Sequence, residues 1–381
     1  MSTIVNCWNE WDPLKRVILG SCRGSSLPFP DPSWDHTQLS IPNYHGPMPQ
    51  EMQDAAEEQM DGFQRIMEKR GIIVDRPKVI NTYQPSGTPD WTVPLQRGCQ
   101  PPRDVFFPLG NEILECPMCL RTRYYEAFNF RDILQKYFHE DPNFQWSSAP
   151  RPRLRDEYFE AGYWQNFKWV WDDETKQKRM EACHYHMLER EPLFDAADGQ
   201  RYGKDILFMR SAVTNECGWR WFAQYYTAKG FRVHKIALPD TNFQPWHVDG
   251  MLTPIKPGIV MVCPVAMPLP EKLQQFYKRN DWEMVECAPP THYFDYRHGV
   301  LDEHQGPYWI SANILALSPN TVAVEAHETA YCEQLDKMGF EVVPVPFEQA
   351  VPFGGSLHCS TVDVYREGTL QDYFPNQIPG F

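Results

Sequence analysis

Long hydrophobic runs are missing from this sequence. No stretch reaches the roughly 18 uninterrupted apolar residues that a membrane-spanning helix needs, and residues 1–19 contain no apolar run long enough for a secretory leader. These absences predict a soluble, cytoplasmic protein that has no membrane partner.

Clusters of basic residues are missing as well. The 381 residues include 36 Lys and Arg against 50 Asp and Glu, and the resulting net charge of −14 is spread along the chain. Because binding to a phosphate backbone requires concentrated positive charge, we expect no nucleic-acid partner. A small cationic substrate is compatible with this charge balance.

The eleven cysteines are odd in number and lack the spacing of a disulfide framework. We expect reduced thiols, most of them packed in the interior. Cys116 and Cys119 have the spacing of half a zinc site or of a redox pair, but the sequence has no second pair to complete such a site. We therefore predict no metal.

A glycine-rich dinucleotide fingerprint after a strand is also absent, which weakens the competing interpretation of a doubly wound sheet. Instead, a helical pattern followed by a short strand recurs five times. We expect one α/β domain over residues 1–381, built from five ββαβ-like modules in a cyclic array. The predicted helix-to-strand units are 51–74, 131–146, 222–233, 271–285 and 333–343, and further strand candidates are 17–19, 105–107, 112–115, 206–209, 259–262, 314–317 and 322–325.

The segment 352–363 is the best candidate for a nucleophile loop. Gly354 and Gly355 permit a sharp bend or a close approach to a ligand, and Cys359 follows beside His358. A single cysteine among eleven is more often an apolar packing residue than a catalyst. Other residues must therefore decide its role.

Four acidic residues and one histidine stand next to predicted strand ends or turns, where a rigid backbone presents a side chain to a cleft. Taken singly, each is more often a turn or cap residue. Together with Cys359 they are chemically coherent, because a thiolate needs a nearby cation, an imidazole needs an orienting carboxylate, and a planar cation binds paired carboxylates. These residues are Asp104, Asp195, Asp198, His247 and Asp249.

The run Pro-Phe-Gly-Gly-Ser-Leu-His-Cys-Ser-Thr-Val-Asp-Val resembles the nucleophile loop of the arginine:glycine amidinotransferase family, in which a Gly-rich turn leads into His-Cys and then Thr and Asp. The resemblance covers nearly the whole chain, so a packing role for Cys359 would not explain it. It continues through segments 9–14, 103–104, 110–113, 194–198, 210–211, 213–215 and 247–249.

The resemblance implies the pentein fold, in which five ββαβ modules surround a pseudo-fivefold axis with the active site in the central cleft. It also implies a ping-pong reaction without cofactor or metal. Cys359 would attack the guanidino carbon of L-arginine, ornithine would leave, and a small primary amine would take the amidino group from sulfur. Because the guanidinium is a poor electrophile and its amine a poor leaving group, this chemistry needs a general acid.

The site roles combine the resemblance with that requirement. His247 suits the general acid, and the resemblance gives Asp195 as the carboxylate that orients its ring. Asp104 and Asp249 would bind the guanidinium through paired hydrogen bonds. The resemblance adds Arg210 to the substrate-binding residues.

Three positions depart from the glycine-using relatives. Ala266 stands where those relatives, as aligned, have an Arg that helps to bind substrate carboxylate, while Trp246 and Gln244 replace Met and Asn. Trp246 either fills core space or, with Gln244, shapes the acceptor pocket. The lost cation favours a non-carboxylate acceptor, as in family members that amidinate larger amines in antibiotic and cyanobacterial toxin pathways, including that of saxitoxin.

Other functions stay open on the sequence. A glycine amidinotransferase would make guanidinoacetate, whereas an arginine deiminase-like hydrolase of the same fold would use the same Cys, His and Asp set to form citrulline. A non-catalytic arginine sensor would be expected to lose Cys359 or His247, and both are present. A homodimer is an expectation from the family alone.

Overall fold

A computed structural model of the chain describes residues 3–34, 44–238, 247–291 and 312–381. Helices and short strands alternate throughout these ranges. The helices are α1 (Gln50–Lys69), α2 (Arg131–Glu140), α3 (Tyr163–Trp169), α4 (Asp173–Glu181), α5 (Glu216–Thr227), α6 (Glu271–Arg279) and α7 (Thr329–Lys337). The strands are β1 (Leu14–Leu19), β2 (Ser26–Leu27), β3 (Gly46–Pro47), β4 (Ile73–Asp75), β5 (Ser86–Thr88), β6 (Trp91–Val93), β7 (Phe106–Leu109), β8 (Glu112–Glu115), β9 (Gln145–Ser148), β10 (Gly199–Tyr202), β11 (Asp205–Met209), β12 (Arg232–Ile236), β13 (Leu252–Lys256), β14 (Ile259–Val262), β15 (Glu283–Glu286), β16 (Leu315–Ser318), β17 (Thr321–Glu325), β18 (Glu341–Val345) and β19 (Thr361–Arg366).

Five three-stranded sheets share one connectivity. In each, two strands pair antiparallel and a helix then returns the chain, so that the third strand pairs parallel to the middle one. A crossover of this kind is what parallel pairing requires. The modules are β19-β1-α1-β4, β7-β8-α2-β9, β10-β11-α5-β12, β13-β14-α6-β15 and β16-β17-α7-β18. The predicted five ββαβ modules are thereby confirmed.

The joint between helix and strand follows from local sequence. Phe63 and Met67 recur at helical spacing on α1 and are fully buried, so one face of the helix packs on its sheet. Gly71 then adopts φ of +79°, a left-handed conformation that ends a helix cheaply only in glycine. Gly230 after α5 and Gly339 after α7 do the same, at φ of +91° and +88°.

The modules close into a ring. Strand β19 pairs antiparallel with β1, so distant parts of the chain complete one module. Contacts then lead from module to module: β19 with β7, β7 with the turn before β10, β10 with the turn before β13, β13 with β16, and β16 with β1. The first strand of every module therefore lies on the inner side of the ring.

Segments outside the modules add a separate apolar cluster. Trp34, Trp91, Phe159 and Trp164 pack together in this cluster, which draws on the long connection that contains α3 and α4. The aromatic residues of this connection explain why it packs against the rest of the chain. Among the described helices, none has both the length and the apolar character that crossing a bilayer would demand.

Helix α5 begins earlier than predicted. Periodicity places its start at Phe222, whereas the structure starts it at Glu216. Asn215 explains the difference, because its side-chain oxygen accepts a hydrogen bond from the N–H of Gly218 at 2.8 Å and caps the helix.

Candidate active site

The predicted site residues occupy equivalent places in successive modules. Each lies in the short turn before the first strand of its module: Asp104 before β7, Asp195 before β10, His247 and Asp249 before β13, and Cys359 before β19. These turns contact one another at one end of the ring. The remaining module contributes Asn313, directly before β16.

The backbone of Cys359 is held on both sides. Its N–H donates to Oδ1 of Asn313 at 2.9 Å, and its carbonyl accepts from the N–H of Arg103 at 3.2 Å. Gly355 has φ of +140°, and a Cβ built there would lie 2.6 Å from Sγ of Cys359. Glycine is therefore required both for the bend and for the close approach to the thiol.

Asp249 lies beside the thiol. Its Oδ2 is 3.5 Å from Sγ of Cys359, 2.7 Å from Nδ1 of His358 and 3.0 Å from Nδ2 of Asn313. Burial raises the pKa of Asp249, but the His358 hydrogen bond and the charges around it hold that pKa below its usual value. The carboxylate is thus ionised and fixed next to the nucleophile.

His247 lies between two carboxylates. Its Nε2 is 3.2 Å from Oδ2 of Asp195, and its Nδ1 is 3.7 Å from Oδ1 of Asp104. Burial lowers the pKa of His247, yet the carboxylates of Asp104, Asp195 and Asp198 outweigh it and raise that pKa to about 10. The ring is an imidazolium at neutral pH.

The surroundings of Cys359 favour the protonated thiol. Burial raises its pKa well above the usual value, Asp249 and Asp104 raise it further, and Arg103 opposes them. A cation that binds between the two carboxylates would neutralise them and favour the thiolate. The site is therefore arranged to activate sulfur when a positively charged ligand is present.

Arg123 fixes one side of this carboxylate cluster. Its Nη1 donates to Oδ2 of Asp104 at 2.5 Å, and two further donors bind Glu126 at 2.6 and 2.9 Å. Oδ1 of Asp104 and Oδ1 of Asp195 are buried, and neither has a hydrogen-bond partner among the residues that the structure describes. Buried acceptors of this kind are costly unless a ligand supplies N–H donors.

Asp104, Asp195 and His247 also form the one group in the described ranges whose ligand atoms, all within 4.8 Å of one another, have metal-site spacing. A metal would have to displace the proton that the raised pKa of His247 keeps on the ring. A guanidinium instead brings the N–H donors that the free carboxylate oxygens lack. The donor set fits an organic cation better than a metal ion.

A buried charge network lies beneath the Cys359 loop. Asp363 accepts from Arg103 at 3.1 Å, from Arg201 at 2.6 Å and from Arg366 at 3.0 Å. Burial raises the pKa of Asp363, but the three guanidinium groups hold it well below its usual value. Arg103 belongs both to this network and to the Cys359 backbone contacts, so the network supports the loop.

Asp198 braces the turn that carries Asp195. Its Oδ2 accepts hydrogen bonds from the hydroxyls of Ser211, at 2.6 Å, and Thr214. Burial raises the pKa of Asp198 to about 8.

Arg210 is not brought together with the other predicted residues. Its guanidinium pairs with Glu189 at 3.1 Å and with Glu216, and its Nε donates to the carbonyl of Thr214 at 3.1 Å. Within the described ranges no contact joins it to Cys359 or to the site carboxylates. Its role in substrate binding stays a prediction.

Trp246 and Gln244 lie outside the described residues, so their predicted place in the acceptor pocket stays a prediction too. Ala266 is fully buried in the core. Sequence reasoning missed Asn313, His358 and Arg123 as site residues. The turn before each first strand is a repeated position, and following that repeat would have found Asn313.

Comparison with known proteins gives consistent relatives across the whole chain, although no family model matches it. The chain is 32% identical over 375 residues to the L-arginine:L-lysine amidinotransferase of Pseudomonas savastanoi pv. phaseolicola, covering 96% of this chain and 95% of the relative. It is also 32% identical over 373 residues to the mitochondrial glycine amidinotransferase of Xenopus laevis, covering 96% and 84%. Among solved structures, SxtG, an amidinotransferase from Microseira wollei in the saxitoxin biosynthetic pathway, superposes with a TM-score of 0.82 at 34% identity, covering 97% of this chain and 99% of that one.

Proposed function

Because this chain belongs to the amidinotransferase family, whose enzymes use an amidino donor and an amine acceptor, we propose that its donor is L-arginine and its acceptor a primary amine other than glycine. The chain also has the pentein fold of that family. One observation carries the donor assignment. The thiol of Cys359 lies 3.5 Å from Asp249. Oδ1 of Asp104 is in the same cluster and accepts no hydrogen bond from any described residue, so a nucleophile adjoins carboxylates suited to a guanidinium.

The first half-reaction begins when Asp104 and Asp249 bind the guanidinium. Their neutralised charges lower the pKa of Cys359, whose proton leaves to solvent, and the thiolate attacks the guanidino carbon. The bond from that carbon to the δ-nitrogen then breaks. The electron pair goes to nitrogen, which takes the proton of His247, and ornithine is released while the amidino group stays on sulfur.

The second half-reaction uses the neutral His247 that the first step leaves behind. An acceptor amine attacks the amidino carbon, and its surplus proton goes to His247, restoring the imidazolium. The carbon–sulfur bond breaks, and its electron pair returns to Cys359. Asp195 serves both halves by holding the ring 3.2 Å away in one orientation.

The acceptor assignment rests on charge and on similarity. Ala266 supplies no cation for an acceptor carboxylate, and the carboxylates of Asp249 and Asp104 act on the thiol of Cys359. The solved SxtG structure, described as part of saxitoxin biosynthesis, matches nearly the whole chain at 34% identity. A non-carboxylate amine in a saxitoxin-type secondary pathway is therefore our proposed acceptor.

Mass spectrometry of products tests the reaction. Purified protein is incubated with L-arginine alone, with glycine, and with a panel of larger amines. Ornithine together with a new guanidino product from a larger amine supports the proposal, and both should vanish in Cys359→Ser. Guanidinoacetate as the preferred product would make this a glycine amidinotransferase, and citrulline without any amine would make it a hydrolase.

A further inference from the structure

Arg97 has a positive charge that no described residue pairs with. Its half-buried guanidinium makes no hydrogen bond or ion pair within the described ranges. Arg103, Arg123 and Arg201 nearby each pair with at least one carboxylate. A partly desolvated charge without a partner is unfavourable, so its presence points to an anion that completes it.

The backbone around Arg97 is nevertheless firmly held. The N–H of Arg97 donates to the carbonyl of Thr122, and its carbonyl accepts from the N–H of Ser26, both at 2.8 Å. The preceding Gln96 is bonded through its backbone in the same way, while both polar atoms of its buried side-chain amide lack partners in the described part of the chain. Segment 96–97 is thus held at its backbone and presents side-chain donors that no described residue accepts from.

The position of Arg97 relates it to the nucleophile. A Cβ built on Gly354 would lie 2.9 Å from Nη2 of Arg97, and one built on the adjacent Gly355 would lie 2.6 Å from Sγ of Cys359. The guanidinium and the thiol therefore contact neighbouring residues of the same glycine pair.

Electrostatic interactions place Arg97 near the site carboxylates. Burial and the Arg123 cation lower the pKa of Arg97, while the carboxylates of Glu126, Asp104 and Asp195 oppose this shift. The region around the thiol is acidic and would repel the carboxylate of an amino acid. Since six bonds of about 1.5 Å separate the guanidino and carboxylate carbons of arginine, its two ends reach regions roughly 7 Å apart.

We infer that Arg97 binds the α-carboxylate of the amidino donor and so selects donors that are α-amino acids. The inference rests on the proposed function, because it assigns the other end of the same donor. The guanidinium end lies among Asp104, Asp249 and Cys359, and the carboxylate end lies on Arg97, where two parallel N–H donors match its geometry.

The experiment compares two donors that differ in that carboxylate. Formation of the amidino adduct on Cys359 is followed by quenched intact-protein mass spectrometry with L-arginine and with agmatine, its decarboxylated counterpart. In the wild-type protein, the apparent second-order rate constant should be about 100-fold higher for L-arginine. In Arg97→Gln the rate constant for L-arginine should fall to that for agmatine, while the rate constant for agmatine stays unchanged. Arg97→Lys should lie between them.

Controls separate binding from folding. Because the Arg97 side chain makes no hydrogen bond to any described residue, Arg97→Gln should unfold close to the wild-type temperature. Arg23→Gln removes an exposed arginine that pairs with Asp54 and should leave both donors unaffected. If Arg97→Gln keeps the wild-type preference for L-arginine, or loses affinity only for the acceptor, the inference is wrong. If wild-type Cys359 forms no adduct with L-arginine, the proposed function fails and the inference fails with it.

Discussion

At the scale of single residues, the site depends on carboxylates that set the charge of their neighbours. Three acidic side chains keep His247 protonated, and two raise the pKa of Cys359. These carboxylates therefore favour the protonated, less nucleophilic form of the thiol. A cationic donor neutralises them, which links activation of sulfur to the presence of substrate.

Asp195 provides a direct test of the acid role of His247. With a pKa raised to about 10, the ring stays protonated until the pH rises through that value, so adduct formation should decline only in alkaline solution. Asp195→Asn removes one charge that raises this pKa, and the decline should move to lower pH by about 1 to 3 units. Rate–pH profiles of adduct formation measure the shift, and an unmoved profile would contradict the assignment.

His358 is expected to position Asp249. Its Nδ1 donates to Oδ2 of Asp249 at 2.7 Å, so His358→Leu should leave that carboxylate loose and lower kcat/KM about 10- to 100-fold. His358→Asn keeps a donor near the position of Nδ1 and should retain more activity. Steady-state kinetics on both variants decide the matter, with thermal unfolding as the check on folding. Equal losses in the two variants would refute a positioning role.

At the scale of elements, the nucleophile loop depends on a glycine pair. Gly355→Ala places a Cβ against the thiol at a φ that L-residues rarely adopt, and activity should fall at least about 100-fold. Gly339→Ala is the matched control, because its φ is also positive but nothing lies within 4 Å of the new Cβ. It should cost about 1 to 2 kcal/mol in the free energy of unfolding and leave activity intact. Similar activities for the two variants would contradict this account.

Most elements follow from sequence pattern. A helix with a buried apolar face, a left-handed glycine and a short strand predict the crossovers of α1, α5 and α7, whereas α2 and α6 are followed by non-glycine residues and rest on the apolar pattern alone. The antiparallel partners are short runs bounded by turn residues. Asn215 shows where such patterns fail. It caps α5, which begins at Glu216, whereas the apolar pattern begins only at Phe222, so the pattern alone places the start of the helix too late. Pairing of β19 with β1 joins segments that are far apart in sequence, and periodicity contains no information on such a partner.

The positions of the site residues follow from sequence only in part. Cys359, His247, Asp195, Asp104 and Asp249 are predicted from turn positions and family resemblance, and the structure brings them together. Arg97 and Asn313 carry no motif of their own. They become recognisable only when the ring places their turns beside the glycine pair or the thiol.

At the scale of the whole molecule, closure of the ring creates both the site and its support. The pairing of β19 with β1 supports our proposal that residues 1–381 form one domain, since a single module combines residues 361–366 with residues 14–19. Beneath the site, three arginines converge on Asp363 with no solvent to screen them. These fixed charges connect β10 and β19 with the turn before β7.

Because of this network, replacing two different acidic residues should lower the free energy of unfolding by unequal amounts. Asp363→Asn leaves buried arginines without a counter-charge and should lower the free energy of unfolding by about 3 to 5 kcal/mol. Glu367→Gln removes an exposed pair with Lys15, whose side chains are 64% and 50% accessible, and should cost under about 1 kcal/mol. Urea unfolding of both variants provides the comparison, and similar costs would show that the network does not stabilise the ring.

The most direct test of the account is to find the amidino group on sulfur. L-Arginine labelled at the guanidino carbon is added without acceptor, the reaction is quenched in acid, and the protein is digested and mapped. We predict label on the peptide that contains Cys359, its transfer to an added amine, and no label in Cys359→Ser. Label on a different peptide, or complete turnover of arginine with no labelled protein in a rapid quench, would contradict the central claim that this chain transfers the amidino group through Cys359.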